Sequence, residues 1–315
     1  MIDLIKNWLP NQTTEELVVI FTTPLYTIFI LAEILVSQWI PRVIYSVKDT
    51  LMNLVLMILN GSVDLFSRTV TWAILAWIYQ FHFTTITTPW LYWLVLLVAE
   101  DFVFYILHVV DHYTRFFWSV HVTHHSSDEF NLTVGFRSSV FQPLYRFIYF
   151  IPLALLGFKA ADMALVYAIT QIYGILVHTN IVPKFKKAPL KWIEYVFVMP
   201  THHRVHHASN TEYLDKNMGM FLIIWDRMFG TFQEEIDDLP IAYGLTHKLE
   251  DTKITTVIFD EWRKLGQDLS RDLDFKTKLK YMFMPPGWSH DGSTMTSKQL
   301  RAALVEGKDY TNSGS

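Results

Sequence analysis

Apolar residues crowd the first 182 positions of this chain and thin out after them. Leu17 to Ile40 is an apolar run with one charge, Glu33, and is long enough to cross a bilayer before Pro41 ends it. Leu51 to Leu59 is apolar but short. It passes through Asn60-Gly61 into Val70 to Phe81, which reads either as one long broken helix or as a re-entrant piece followed by a span. Pro89 opens the next span, Trp90 to Val110, where Trp90 and Trp93 suit an interfacial aromatic belt. Phe141 to Leu156 and Ala160 to Val182 flank Gly157-Phe158-Lys159 as a helical hairpin, one that need not cross fully. Beyond Pro183 the pattern turns mixed, and Ile254, Val257, Ile258, Trp262 and Leu265 recur at helical spacing.

This pattern predicts an all-α protein, an integral membrane helical bundle with a cytoplasmic histidine-rich cap. Its parts are a polar N-terminal segment (1–16), a transmembrane region (17–182), a cytoplasmic cap (183–250), and soluble C-terminal helices with a tail (251–315). Arg42, Lys48 and Arg68 flank the early spans on one side, whereas 82–89 carries no Lys or Arg. Arg115, Arg137, Lys184, Lys186, Lys187, Lys191 and Arg204 surround the histidines described next, which puts that face in the cytoplasm. The expected location is a bacterial inner membrane or the endoplasmic reticulum.

Composition narrows the chemistry. With 51% hydrophobic and only 18% charged residues, the chain is too apolar for an ordinary soluble domain. A net charge of −4 gives no reason to expect nucleic acid as a partner. The absence of cysteine excludes thiolate metal sites, cysteine nucleophiles and disulfides, so any metal must be held by nitrogen and oxygen. Met1 to Glu16 lacks a basic n-region, so a cleaved signal peptide is not expected.

Nine of the 13 histidines fall in two windows, His108-Val-Val-Asp-His112 through His121-Val-Thr-His124-His125, and His202-His203-Arg-Val-His206-His207. Positions i, i+3 and i+4 share one helix face, so HxxxH and HxxHH aim two or three imidazoles at one point. So many imidazoles exceed the needs of one ion, and two metal ions are expected. His178, ending an apolar segment before Thr179-Asn180, is a candidate ninth ligand. His202/His206 and His203/His207 are both i,i+4 pairs on adjacent faces. Matching the earlier triplet selects His203 and moves His202 one layer out. Asp101, Tyr105, His108 and His112 form one helical stripe, so Asp101 is either an interfacial residue or the carboxylate that holds a histidine; Asp111 and Glu100 compete for that role. His82, His247 and His290 are ordinary interface or tail residues. Phe102, Phe104, Tyr105 and the run Tyr145 to Phe150 are candidates for lining a lipid pocket.

HxxxH, HxxHH and HxxHH in this order resemble the fatty acid hydroxylase/sterol desaturase superfamily. The runs HVTHHSSDEFNLT from His121, HTNIVPK from His178 and THHRVHHASNTEYLDKNMGMFLIIWDRMFGTF from Thr201 are most similar to its alkylglycerol monooxygenase-like branch. Val109 stands where the family often has arginine, and the chain after the last motif is shorter than in the animal ether-lipid enzymes. The resemblance implies a non-haem oxygenase holding two iron ions and using dioxygen and an external electron donor, with tetrahydrobiopterin the candidate from the branch. It implies His108, His112, His121, His124, His125, His203, His206 and His207 as ligands, with His178 added. The expected reaction is hydroxylation of a lipid C–H bond, with an electron-transfer protein as a candidate partner. The alternatives are a lipid or sterol desaturase on the same core, and a non-catalytic metal-binding or transport protein. Gathering of the histidines at one face, rather than through the bilayer, favours an enzyme.

Overall fold

A computed structural model describes residues 14–40, 44–185 and 190–307. Most of the polar 1–16 segment, Pro41, Arg42, Lys186, Lys187 and the end of the tail lie outside the described residues. Among the described residues the regular structure is helical: α1 (Thr14–Ser37), α2 (Val47–Tyr79), α3 (Pro89–Tyr113), α4 (Arg115–His125), α5 (Pro143–Leu155) and α6 (Ala160–Leu176) come first. Short α7 (Leu190–Val196), α8 (Pro200–His206) and α9 (Ile224–Phe229) follow, then α10 (Ile254–Ser270), α11 (Phe275–Phe283) and α12 (Ser297–Val305).

The ambiguity before residue 82 resolves as one helix. α2 runs unbroken for 33 residues, about 50 Å at 1.5 Å per residue. Asn60 does not interrupt it, because its side-chain amide donates to the Ser139 carbonyl at 2.7 Å instead of competing for its own backbone. Asp64 and Arg68 add an i,i+4 ion pair at 2.7 Å. α2 and α3 are long and apolar enough to cross a membrane. α2 also presents Leu51, Ile58, Leu65, Phe66 and Val70 outward, which suits contact with lipid.

The α5–α6 hairpin is too short to cross unaided, at 13 and 17 residues. Leu75, Leu96, Phe150, Leu153, Met163 and Val166 make the core that joins α2, α3, α5 and α6. At the end away from the histidines, the 81–88 connection docks on the hairpin turn. Phe83 N–H donates to Leu155 O at 3.1 Å, and Thr84 Oγ1 donates to Leu156 O at 2.6 Å. Gly157 is required there: its φ is +87°, and an added Cβ would lie 2.4 Å from Thr84 O. The Tyr92 hydroxyl donates to Asp162 at 2.8 Å and accepts from Lys159 N at 3.0 Å, which sets the starts of α3 and α6 level.

The single charge of the first apolar run turns inward. Glu33 is 1% exposed and accepts from Leu132 N at 2.8 Å and from the Tyr45 and Thr179 hydroxyls. It therefore ties α1 to the segments that follow α4 and α6. On the C-terminal side, α10 covers α4, with Arg115 donating to Glu261 at 2.8 Å and Asp268 at 2.6 Å.

Candidate metal centre

Nine imidazoles meet where α3, α4, α6 and α8 converge, and they form two groups. His108, His112, His121, His125 and His206 are one; His124, His178, His203 and His207 are the other. Within each group the facing ring nitrogens lie within 4.8 Å of one another. The helix geometry explains the partition. In each HxxHH motif the i,i+4 pair shares a face, while the middle histidine is rotated to the neighbouring face. His121 and His125 thus join the first group and send His124 to the second; His203 and His207 join the second and send His206 to the first. The expectation that each motif aims at one point holds for HxxxH, whose His108 and His112 both join the first group, and is corrected for the two HxxHH motifs, each of which serves two groups.

The ring nitrogens behave as ligands do. Nδ1 of His108 faces Met218 O at 2.7 Å, that of His124 faces Arg137 O at 2.9 Å, and that of His178 faces Gly174 O at 2.7 Å. Nδ1 of His206 faces Lys216 O at 2.9 Å, and that of His112 faces Asp215 Oδ1 at 3.1 Å. An Nδ1–H given to an acceptor fixes the tautomer and leaves Nε2 as a bare lone pair. Nε2 of His112 and of His206 is buried without a hydrogen-bond partner. The Nε2 atoms of His108 and His121 lie 3.1 Å apart, and those of His178 and His207 also 3.1 Å apart. Such spacing matches neighbouring corners of a shell with metal–nitrogen bonds of about 2.1 Å. The residues present therefore fit metal ions.

Electrostatics point the same way. Burial holds the His121, His125, His203, His206 and His207 imidazoles well below the ordinary histidine range, and the crowding of neighbouring imidazoles pushes in the same direction. His124 is pushed down to about 4, chiefly by burial. Neutral imidazole is the metal-binding form.

His202 is in neither group. Its Nδ1 accepts from Met199 N at 3.2 Å, and its ring meets Phe232 edge-on at 5.7 Å. Asp101 departs from the expectation that it holds a histidine. Its carboxylate accepts from Phe221 N at 3.0 Å, Leu222 N at 3.1 Å and Trp225 Nε1 at 2.8 Å. Asp226 accepts from Met218 N and Gly219 N at 2.7 and 2.8 Å. The two acids clamp the loop whose Met218 carbonyl meets His108, so Asp101 acts through backbone. Glu100 faces Thr170 Oγ1 at 3.3 Å, away from the histidines. Asp111 comes nearest of the three competing acids, 3.7 Å from His121 Nδ1, while accepting from Tyr145 and Gln142. His82 stacks on Tyr79, His247 pairs with Asp260 and His290 with Tyr281, all outside the two groups.

Residues 93–231 match the fatty acid hydroxylase family. That match takes in all nine clustered histidines. An alkylglycerol monooxygenase of Danio rerio is 33% identical over 85% of this chain and 59% of that protein. The Homo sapiens alkylglycerol monooxygenase is 31% identical over 88% of this chain and 62% of its own length. An ornithine lipid hydroxylase, OlsE, of Rhizobium tropici is 30% identical over 54% of this chain and 51% of that protein. The chain thus spans about three fifths of the two animal relatives. No solved structure gives a significant match.

The matched region also draws on residues to which the sequence reading gave no part in the metal site. The segment Asp215–Met218 supplies acceptors for His112, His206 and His108, with Asp215 at φ 52° and Asn217 at φ 56°. Asx residues tolerate this left-handed conformation, the one local signal available beforehand. Arg137, whose carbonyl meets His124, is held by Asp49 at 2.9 Å and Asn53 at 2.7 Å from α2. A cavity of about 560 Å³ reaches His112, His125, His206 and His207 from the C-terminal side, past Trp118 and Trp288. Of the span aromatics that were candidates for lining a pocket, Phe102 packs on Trp225 and Phe229, Phe150 on Tyr167 and Tyr145 on Phe117, while Phe104 meets His108 edge-on at 5.6 Å.

Proposed function

We propose that this protein is an integral membrane monooxygenase that inserts one oxygen atom from dioxygen into a C–H bond of a lipid. The observation that carries the reading is the division of nine clustered imidazoles, all buried except the half-buried His124, into groups of five and four. A five-nitrogen group exceeds the closed tetrahedral set of structural zinc, and an all-imidazole donor set suits iron. Two iron ions held there would supply the reduction of dioxygen and the attack on an unreactive C–H bond. The overall balance is substrate, dioxygen, two electrons and two protons giving an alcohol and water.

His108, His112, His121, His125 and His206 would hold one ion, and His124, His178, His203 and His207 the other. Asp215, Lys216 O, Met218 O and Arg137 O orient these rings before any ion binds. The printed names of the relatives, alkylglycerol monooxygenase and ornithine lipid hydroxylase, support a lipid as substrate. The cavity beside His112 and His207 supports access by a polar co-reactant. The electron donor is external, with tetrahydrobiopterin or an electron-transfer protein as candidates. The basic residues around the motifs support a cytoplasmic histidine face.

Lipid mass spectrometry of cells with and without the active gene tests the reaction, with His206→Ala as the inactive control. A product heavier by one oxygen is expected. Loss of two hydrogens would make the enzyme a desaturase, and purified protein binding at most one metal would end the two-ion reading. A cysteine at the exposed Asp237 that labels from outside intact cells would reverse the orientation.

A further inference from the structure

α7 and α9 present one continuous apolar surface. Trp192 is 70% and Met228 67% exposed, and Tyr195 and Phe229 lie beside them on the outside. Ile223 N–H donates to Val196 O at 3.0 Å, and Arg227 Nε donates to Tyr195 O at 3.2 Å, which joins the two helices. The acid of α7 turns away from this face: Glu194 accepts from Thr201 Oγ1 at 3.1 Å. Lys191 stands at the margin with its ammonium 3.8 Å from Glu234. The Arg227 guanidinium lies 4.3 Å from the Tyr195 ring centroid and 3.7 Å from that of Phe232, so its charge is spread over aromatic faces.

The depth of this surface follows from what it touches. Trp225 and Phe229 meet Phe102 with ring centroids 4.8 and 6.0 Å apart, and Phe221 meets Tyr173 at 5.0 Å. Phe102 is thirteen residues beyond the start of α3, and Tyr173 thirteen beyond the start of α6. Both helices start level at the Tyr92–Asp162 contact, so both rings stand about 20 Å above that end. A hydrocarbon core of about 30 Å beginning at that end, where Trp90 and Trp93 suit an interfacial belt, would extend about 10 Å past them. His108, nineteen residues beyond the start of α3, falls near its boundary.

We propose that the α7–α9 face is immersed in the bilayer leaflet on the histidine side, and that lipid covers it rather than another protein. The segment after residue 183 is then not a wholly water-borne cap. It dips along α3 as an interfacial wall, with Lys191 reaching back toward the headgroups. The inference rests on the bilayer embedding of α2 and α3, and the test separates the two.

The chain has no cysteine, so single cysteines can carry a bimane fluorophore cleanly. Trp192→Cys, Met228→Cys, Leu65→Cys on the outer face of α2 and Asp237→Cys on the exposed loop would be placed in phosphatidylcholine vesicles with or without brominated acyl chains. The full metal-loaded protein is used throughout. Positions 192 and 228 should lose fluorescence as position 65 does, while position 237 keeps it. If 192 and 228 behave like 237 while 65 is quenched, the face lies in water or under protein and the inference falls alone. Cross-linking between copies through Cys at 192 would identify a second chain as the cover. If position 65 escapes quenching, the bilayer embedding falls and takes the inference with it.

Discussion

Asp215 Oδ1 lies 3.1 Å from His112 Nδ1 while the Asp215 backbone sits at φ 52°. The other Asp215 oxygen accepts from Ser297 at the start of α12, so one carboxylate joins the C-terminal helix to the first histidine group. Asp215→Ala should lower metal content and activity about 10–100-fold, the usual cost of losing an orienting partner. Asp215→Asn, which keeps an acceptor oxygen and tolerates the left-handed backbone, should lose less. Metal analysis of the two purified variants checks the order; equal loss would show that charge, not acceptance, is what His112 needs.

The adjacent histidines His202 and His203 should separate cleanly. His203→Ala removes a ring whose Nε2 lies 2.9 Å from that of His178, and it should deplete the second group of metal. His202→Ala should keep the metal, because His202 serves the Met199 backbone and Phe232. Metal content with the reverse order would overturn the assignment of the second group.

Acidification should release the site. His124 and His202 titrate near 4 in the fold, below the ordinary histidine value, because burial disfavours the imidazolium. Between that value and about 6.5 the unfolded chain binds more protons, so stability is full above about pH 6.5 and falls as pH drops toward 4. Each such group costs about 1.4 kcal/mol per pH unit across the window. Melting of metal-stripped protein should fall steadily there, and loaded protein should lose metal in the same range. A melting temperature flat from pH 6.5 to 4 would falsify the buried neutral state.

Much of this centre was legible beforehand because helical spacing is local. HxxxH and HxxHH identified the clustered histidines, and motif matching set His203 apart from His202. Local spacing does not say which partners arrive from a distance. Asp101 lay on the right stripe of α3, yet its partners come from residues 221 to 225, which no periodicity positions beside it. Asp215 and Arg137 escaped for the same reason. Asn60-Gly61 looked like a break because the Ser139 carbonyl that occupies the Asn60 amide is remote in sequence.

That misplacement of Asp101 yields its own expectation. Asp101→Leu strands three donors, each costing about 1–3 kcal/mol if left buried and unmet. The variant should melt earlier and lose metal through displacement of Met218, although Asp101 touches no histidine. Asp101→Asn should lie between it and the native protein. Native melting for Asp101→Leu would show that the 221–225 segment is held by other contacts.

Glu33 imposes an order on biogenesis. Of its partners, Tyr45 is made 12 residues later, but Leu132 and Thr179 follow 99 and 146 residues later. During synthesis α1 therefore carries a costly carboxyl whose later donors are not yet made. Only when the stretches flanking His125 and His178 have emerged can that carboxyl be satisfied in full. α1 is thus among the last of these elements to be fixed, and its carboxyl then joins the stretches that follow His125 and His178.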